Sequence, residues 1–141
     1  MKLLNLASNR SFWRGIEYHH EKRVLSWNEI DKNCYQGKVK DSNEAVYNVK
    51  IDLEHPKKST CDCPFAAGRK VICKHMVALC LGIFPEKEQQ MLDYIEEQNQ
   101  LYEQAYEQEM KEREVKEYVM GLTKAELREK LIRRMIDDLY D

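Results

Sequence analysis

Glycine and proline are scarce in this chain of 141 residues, which has five glycines and three prolines. That scarcity excludes collagen-like and low-complexity classes, and an apolar content of 43% argues against wholesale disorder. A long hydrophobic run is lacking too. The longest apolar stretch is nine residues, 76–84, whereas a membrane-spanning helix needs about 20. We therefore expect a folded protein with no membrane partner.

We also expect no secretory leader, because polar residues from Asn5 onward cut the N-terminal apolar stretch below the ~7–15 residues of a signal peptide. We expect a cytoplasmic protein, in which thiols stay reduced. The chain has five cysteines, and four of them lie within the twenty residues 61–80. In a reducing compartment this clustering favours a metal site over disulfides.

The net charge of −2 conceals two regions of opposite sign. Residues 1–85 carry 14 basic and 9 acidic side chains, a net +5, whereas residues 86–141 carry 9 basic and 16 acidic ones, a net −7. At roughly 100 to 200 residues per domain, the length indicates one globular unit with a small appendage. We predict a basic domain over 1–85 and an acidic helical extension over 86–141.

Strand-like alternation dominates the first region. Four strands are predicted, over 15–20, 23–30, 33–40 and 45–53, joined by polar turns into an antiparallel meander with one buried face. We expect Trp27 and Tyr35 to fill its core. Helical spacing over 75–84 then predicts a short helix that packs on the sheet. The fold class is α+β.

The second region has the pattern of helices. Glutamate and glutamine dominate residues 86–120, which predicts a long exposed helix ended by Gly121. Thr123 and Glu126 have the spacing of a capping box. The final amphipathic helix that follows repeats leucine and methionine every four residues, and its apolar face needs a partner surface. Residues 86–141 are therefore a candidate protein-binding segment.

The chemistry of the chain is concentrated in a Cys-x-Cys-x9-Cys-x-His array formed by Cys61, Cys63, Cys73 and His75. Three thiolates and one imidazole complete a tetrahedral zinc site, so we expect one Zn²⁺ per chain in a structural role. Cys61 and Cys63 can face the metal from an extended segment, and a helix must begin near Cys73 and His75. An inert cluster of buried cysteines, a disulfide and a nucleophilic Cys73–His75 pair are the open alternatives.

These residues resemble the SWIM-type zinc finger family, defined by Cys-x-Cys-x(n)-Cys-x-His. The resemblance extends over about residues 12–84 and is greatest in Cys63-Pro64-Phe65 and in the segment Cys73-Lys74-His75-Met76-Val77-Ala78-Leu79. The chain resembles a stand-alone member of this family and is similar to its bacterial members. It implies a ββα finger that binds one zinc through Cys61, Cys63, Cys73 and His75, and a role in DNA binding or protein contact.

Basic residues crowd around the predicted ligands. Between residues 54 and 75 only two acidic side chains oppose them, which leaves a local surplus of +3. They could contact the phosphates of a nucleic acid, or they could offset the negative charge of three thiolates around Zn²⁺. Both interpretations stay open. The candidate nucleic-acid contacts are Lys57, Lys58, Arg69, Lys70 and Lys74.

We expect a binding module and not an enzyme. Four protein ligands leave no open metal position, and neither a pair of catalytic carboxylates nor a phosphate-binding loop is recognisable, so no small-molecule substrate is expected. Association with nucleic acid is the favoured function. The alternative is a protein–protein adaptor that works through the helices of residues 86–141, with a purely structural zinc.

Overall fold

A computed structural model describes all residues of the chain, 1–141. They divide into two compact units, Met1–Tyr94 and Ile95–Asp141. The elements along the chain are α1 (Lys2–Leu6), α2 (Asn9–His20), β1 (Val24–Asp31), β2 (Cys34–Lys40), β3 (Val46–Asp52), β4 (Thr60–Cys61), α3 (Lys74–Ile83), α4 (Glu86–Met120) and α5 (Lys124–Leu139). A single 3₁₀ turn at Pro56–Lys58 precedes β4.

The first unit contains a four-stranded antiparallel sheet in the order β1-β2-β3-β4. Strands β2 and β3 pair in continuous register, with Gly37 opposite Val49. The short β4 pairs with β3 by two residues only, and one of these pairs sets Cys61 opposite Val49. The α+β class and the meander predicted from alternation are confirmed, and β1 to β3 correspond to the predicted strands over 23–30, 33–40 and 45–53.

The strand predicted over 15–20 is wrong, because these residues form the second half of helix α2. The Ser8 side chain caps this helix by accepting a hydrogen bond from the Ser11 amide at 3.1 Å. Phe12 and Ile16, one helical turn apart, are both buried. Residues 15–20 include only half of this helical pattern, and a segment of six residues is too short to distinguish a helix from a strand by its periodicity.

Gly15 allows α2 to approach α3 closely. A Cβ atom at this position would lie 2.3 Å from Cγ1 of Val77 and 3.1 Å from the Lys74 carbonyl oxygen. Any larger residue would therefore push the two helices apart. This contact holds α2 against the helix that carries two of the predicted metal ligands.

The core of the first unit lies between the sheet and the helices. Val39, Val49 and Ile51 project from the sheet and are almost fully buried, as is the α3 segment Met76–Leu81. Trp27 departs from the prediction that it fills the core, since 47% of it is exposed. Its ring lies on the rim of the sheet, edge-on to Tyr35 at 6.0 Å between centroids.

Helices α4 and α5 confirm the predicted helical extension. The capping box at the start of α5 is complete, because Thr123 Oγ1 accepts from the Glu126 amide at 3.2 Å and Glu126 Oε1 accepts from the Thr123 amide at 3.1 Å. No residue of α5 is buried. None of the helices combines the length and the apolar character that crossing a membrane requires.

Candidate metal centre

The four predicted ligands come together in a buried cluster. Cys61 lies on β4, Cys63 in the turn that follows, Cys73 at the N-cap of α3 and His75 in its first turn. Their sulfur and nitrogen ligand atoms all lie within 4.8 Å of one another. His75 Nδ1 lies 3.8 Å from the sulfur of Cys61 and 3.8 Å from that of Cys73.

The cluster fits a tetrahedral zinc ion. A sulfur about 2.3 Å from Zn²⁺ and a nitrogen about 2.0 Å from it are about 3.5 Å apart at the tetrahedral angle. The two sulfur–nitrogen separations at His75, 3.8 Å each, are slightly longer than that value. Three thiols and one imidazole are also the donor set of structural zinc sites. Zinc held here would join the zinc-binding loop to β4 and α3.

Local structure explains how residues so close in sequence face one centre. Asp62, between two ligands, points outward and accepts from the Asn48 backbone amide at 2.8 Å and from the Asn48 side-chain amide at 3.2 Å. Cys61 and Cys63 on either side are buried. Cys73 has extended backbone angles, φ −88° and ψ 169°, so α3 begins only at Lys74. The prediction that a helix begins near Cys73 and His75 is confirmed.

Burial and mutual hydrogen bonding make the three thiols ionise unequally. A hydrogen bond from Cys61 is the main cause that lowers the pKa of Cys73, against the raising effect of burial, and with the hydrogen bonds of His75 and the Met76 amide it brings that pKa to about 4. The pKa of Cys61 is raised, first by its hydrogen bond to Cys73 and then by burial, and burial also raises the pKa of Cys63. Only a nearby cation would favour three thiolates together.

Asp41, in the turn between β2 and β3, orients the histidine. His75 presents Nδ1 to the thiols, and Nε2 lies 2.8 Å from the Asp41 carboxylate oxygen Oδ1. The Tyr18 hydroxyl donates to the same oxygen at 2.7 Å. Burial would raise the pKa of Asp41, but the hydrogen bonds of Tyr18 and His75 and the charge of Lys74 hold it well below its usual range. A carboxylate in this position fixes the tautomer and orientation of a ligand histidine.

Sequence reasoning missed Asp41. Its local signal, an Asp-Ser-Asn-Glu run, predicts only a turn. Its contact with His75 joins positions 34 residues apart. Of the two other cysteines, Cys80 is fully buried outside the cluster, where burial raises its pKa to about 12, and Cys34 is half-buried on β2.

Lys74 differs from the other candidate nucleic-acid contacts, because its side chain turns toward Asp41. Its Nζ lies 3.4 Å from Oδ1 of that residue and 5.0 Å from the centre of the Tyr18 ring. The ammonium group therefore offsets the carboxylate charge behind the ligand histidine. Lys57, Lys58, Arg69 and Lys70 are all exposed.

Two grooves run beside the cluster, and we call them the cationic grooves. The first, of about 310 Å³, contains Arg10 and Arg14 as well as the inward-turned Lys74. The second, of about 290 Å³, contains Lys57 and Lys70. Further lining residues of the first groove are Ser8, Ser11, Cys63, Phe65, Cys73 and His75, and of the second Leu6, Ser8, Phe65, Val71 and Ile72.

Ser8 and Phe65 border both cationic grooves, so the grooves adjoin one another. No acidic residue lines either of them. Sequence reasoning missed Arg10 and Arg14. They are four positions apart on α2, and recognition of that segment as a helix would have set them on one face.

Comparison with known families identifies this region. The sequence model of the SWIM zinc finger matches residues 47–81. These residues form a SWIM zinc finger. The SWIM finger consists of most of β3, the short β4, the loop with Cys63 and the greater part of α3, which agrees with the ββα form that the resemblance implied. Neither a curated protein nor a solved structure matches the chain.

Proposed function

We propose that the SWIM finger binds one zinc ion per chain through Cys61, Cys63, Cys73 and His75, and that its cationic grooves bind the sugar-phosphate backbone of a nucleic acid. The proposal of nucleic-acid binding rests on the free basic side chains in the grooves. Arg10, Arg14, Lys57 and Lys70 take part in none of the ion pairs of the structure. Arginine and lysine without acidic partners are the groups that phosphates attract.

The alternative use of these cations, to offset the thiolate charge, suits only some of them. Lys74 serves the site in that way, through Asp41. Arg10 and Arg14 line a groove together with three of the ligands and could share that role. Lys57 and Lys70 line a groove that contains none of the ligands, so their charges are better explained by an external anion.

The proposed role is binding without catalysis. Zinc would supply a cross-link between β4, the loop and the start of α3, and the four protein donors would fill its tetrahedral shell. The loop between Cys63 and Cys73 would then be held in place beneath the cationic grooves. Backbone contacts of this kind give affinity without sequence preference.

A charge reversal tests the proposal. The double variant Lys57→Glu/Lys70→Glu should lose most of its affinity for a labelled oligonucleotide, and the slope of log affinity against log salt should become shallower by about 1.4 to 1.8 for the two lost phosphate contacts. The matched control is Lys111→Glu/Lys116→Glu, which changes the net charge equally on exposed positions of α4. Zinc content should stay the same in both variants. Equal affinity in the two double variants would refute the assignment to the grooves.

A second candidate function belongs to helix α5, and the observation that favours it is an exposed apolar face. Leu131, Met135 and Leu139 follow one another every four residues, and their exposed fractions are 61%, 61% and 79%, respectively. Residues 124–134 carry five basic and two acidic side chains, a net +3, and residues 135–141 carry three acidic ones, a net −3. Antiparallel pairing of two α5 helices would bring each positive half against a negative half. We propose a second copy of this chain as the partner.

Sedimentation of the full chain tests this pairing. A concentration-dependent dimer is expected, and Leu131→Asp should abolish it, whereas Val115→Asp on α4 should leave it unchanged. A chain that stays monomeric at its highest attainable concentration would contradict the pairing and leave the role of the cationic grooves unaffected.

A further inference from the structure

Phe65 is an exposed aromatic ring between the cationic grooves. About half of it, 49%, is accessible to solvent, and it lines both grooves. Its backbone is well anchored, because the amides of Ala66 and Ala67 both donate to the carbonyl oxygen of Cys63 at 3.2 and 2.9 Å. Phe65 is therefore part of a turn that contains the predicted metal ligand Cys63.

Arg69 supports this ring. Its guanidinium carbon lies 4.9 Å from the ring centre, and its NH1 group donates to the Phe65 carbonyl oxygen at 3.1 Å. The guanidinium therefore covers part of the ring and adds a positive charge beside it. Phe65 itself borders both grooves.

An aromatic ring surrounded by cations fits one form of nucleic acid better than another. In a duplex the flat faces of the bases are covered by their neighbours, so the ring could contact only the grooves or the backbone. In a single strand the bases can turn outward and stack on an aromatic side chain, while basic residues follow the phosphates on either side. Here Arg10 and Arg14 lie in one groove and Lys57 and Lys70 in the other, with Phe65 between them.

We propose that the SWIM finger binds single-stranded nucleic acid, with one base stacked on Phe65 and the adjoining phosphates in the two cationic grooves. This inference rests on the proposed function and adds to it the class of nucleic acid. Stacking on an aromatic ring is tolerant of sequence, because every base has a π face. The finger should therefore recognise an unpaired strand and not a particular sequence.

Fluorescence anisotropy with the zinc-loaded full chain tests the inference. The probes are labelled oligo(dT), oligo(U) and a blunt DNA duplex of the same length, each measured with the unaltered chain and with Phe65→Ala, Phe65→Leu and Phe65→Trp. The unaltered chain should bind at least one of the single strands roughly ten-fold more tightly than the duplex. Phe65→Ala and Phe65→Leu should each weaken single-strand binding by roughly ten-fold, the loss of one stacked base, and Phe65→Trp should retain it.

Trp27→Ala is the matched control, since it removes another exposed aromatic ring from the same unit and should leave binding unchanged. The two single strands show whether DNA or RNA is preferred. Duplex binding as tight as single-strand binding, or unchanged single-strand affinity in Phe65→Ala and Phe65→Leu, would overturn the single-strand inference. If Lys57→Glu/Lys70→Glu still abolished duplex binding in that case, the proposed function would stand. Absence of binding to all three probes would refute both.

Discussion

The two compact units of the chain are stabilised in different ways. In Met1–Tyr94 a sheet and three helices enclose a buried core, and four potential metal ligands converge at one edge of it. In Ile95–Asp141 none of the residues is buried, so its helices depend on local hydrogen bonds, capping and side-chain pairs three or four positions apart. The first unit is held together by contacts between residues distant in sequence, whereas the second can lose its helices piecemeal.

Metal removal should have the largest effect, and it should be confined to the first unit. Zinc binding contributes apparent free energies of about 10 to 16 kcal/mol in isolated finger peptides. A strong chelator should therefore unfold residues 55–84, which contain all four ligands. Hydrogen exchange should show amide protection lost over that segment and unchanged over 95–139. Equal loss of protection in both segments would mean that the helical unit depends on the metal site.

Asp41→Asn should have the second-largest effect, because Asp41 orients the ligand His75. The amide keeps an oxygen near Nε2 but removes the carboxylate charge, and loss of such partners typically lowers metal affinity about 10- to 100-fold. Competition with a zinc-binding dye measures the change. Asp62→Asn is the control with the same change in charge, because Asp62 is exposed and bonds to Asn48 and not to a ligand. Equal zinc affinities in the two variants would refute the orienting role of Asp41.

Gly15→Ala should destabilise the first unit by about 1 to 3 kcal/mol, because the new methyl group would overlap Val77 across the α2–α3 contact. Urea unfolding followed through tryptophan fluorescence measures the loss. Gly121→Ala in the helical unit is the matched control, since a Cβ there would meet its nearest atoms at 3.6 Å, an ordinary contact. Similar changes in the free energy of unfolding from both substitutions would contradict the close approach of α2 to α3.

Thr123→Ala should have the smallest effect. It removes the hydroxyl that accepts from the Glu126 amide, at a cost of about 1 kcal/mol to the start of α5. Circular dichroism should show a small loss of helix, with zinc affinity unchanged. A measurable fall in zinc affinity would contradict the independence of the two units.

Much of this architecture follows from local sequence signals. Alternation located the three long strands, and Gly121 and the Thr123–Glu126 capping box located the boundary between α4 and α5. The spacing of the cysteines and His75 identified a cluster whose ligand atoms the structure brings within 4.8 Å. These signals succeed because periodicity, capping and ligand spacing are properties of neighbouring residues.

The features that were missed depend on distant contacts. Asp41 reaches His75 across 34 positions, and a turn residue gives no local sign of such a partner. Arg10 and Arg14 precede the finger in sequence and join its surface only because α2 packs on α3. Trp27 has strong strand propensity, but propensity does not determine whether a ring lies in the core or on the rim of the sheet.

Native mass spectrometry of the purified chain measures whether Cys61, Cys63, Cys73 and His75 together hold one zinc ion. The unaltered chain and Cys34→Ser should each carry one zinc, whereas Cys61→Ser and His75→Ala should carry none. One zinc per chain in the Cys61→Ser variant, or none in the unaltered chain loaded with zinc, would contradict the account.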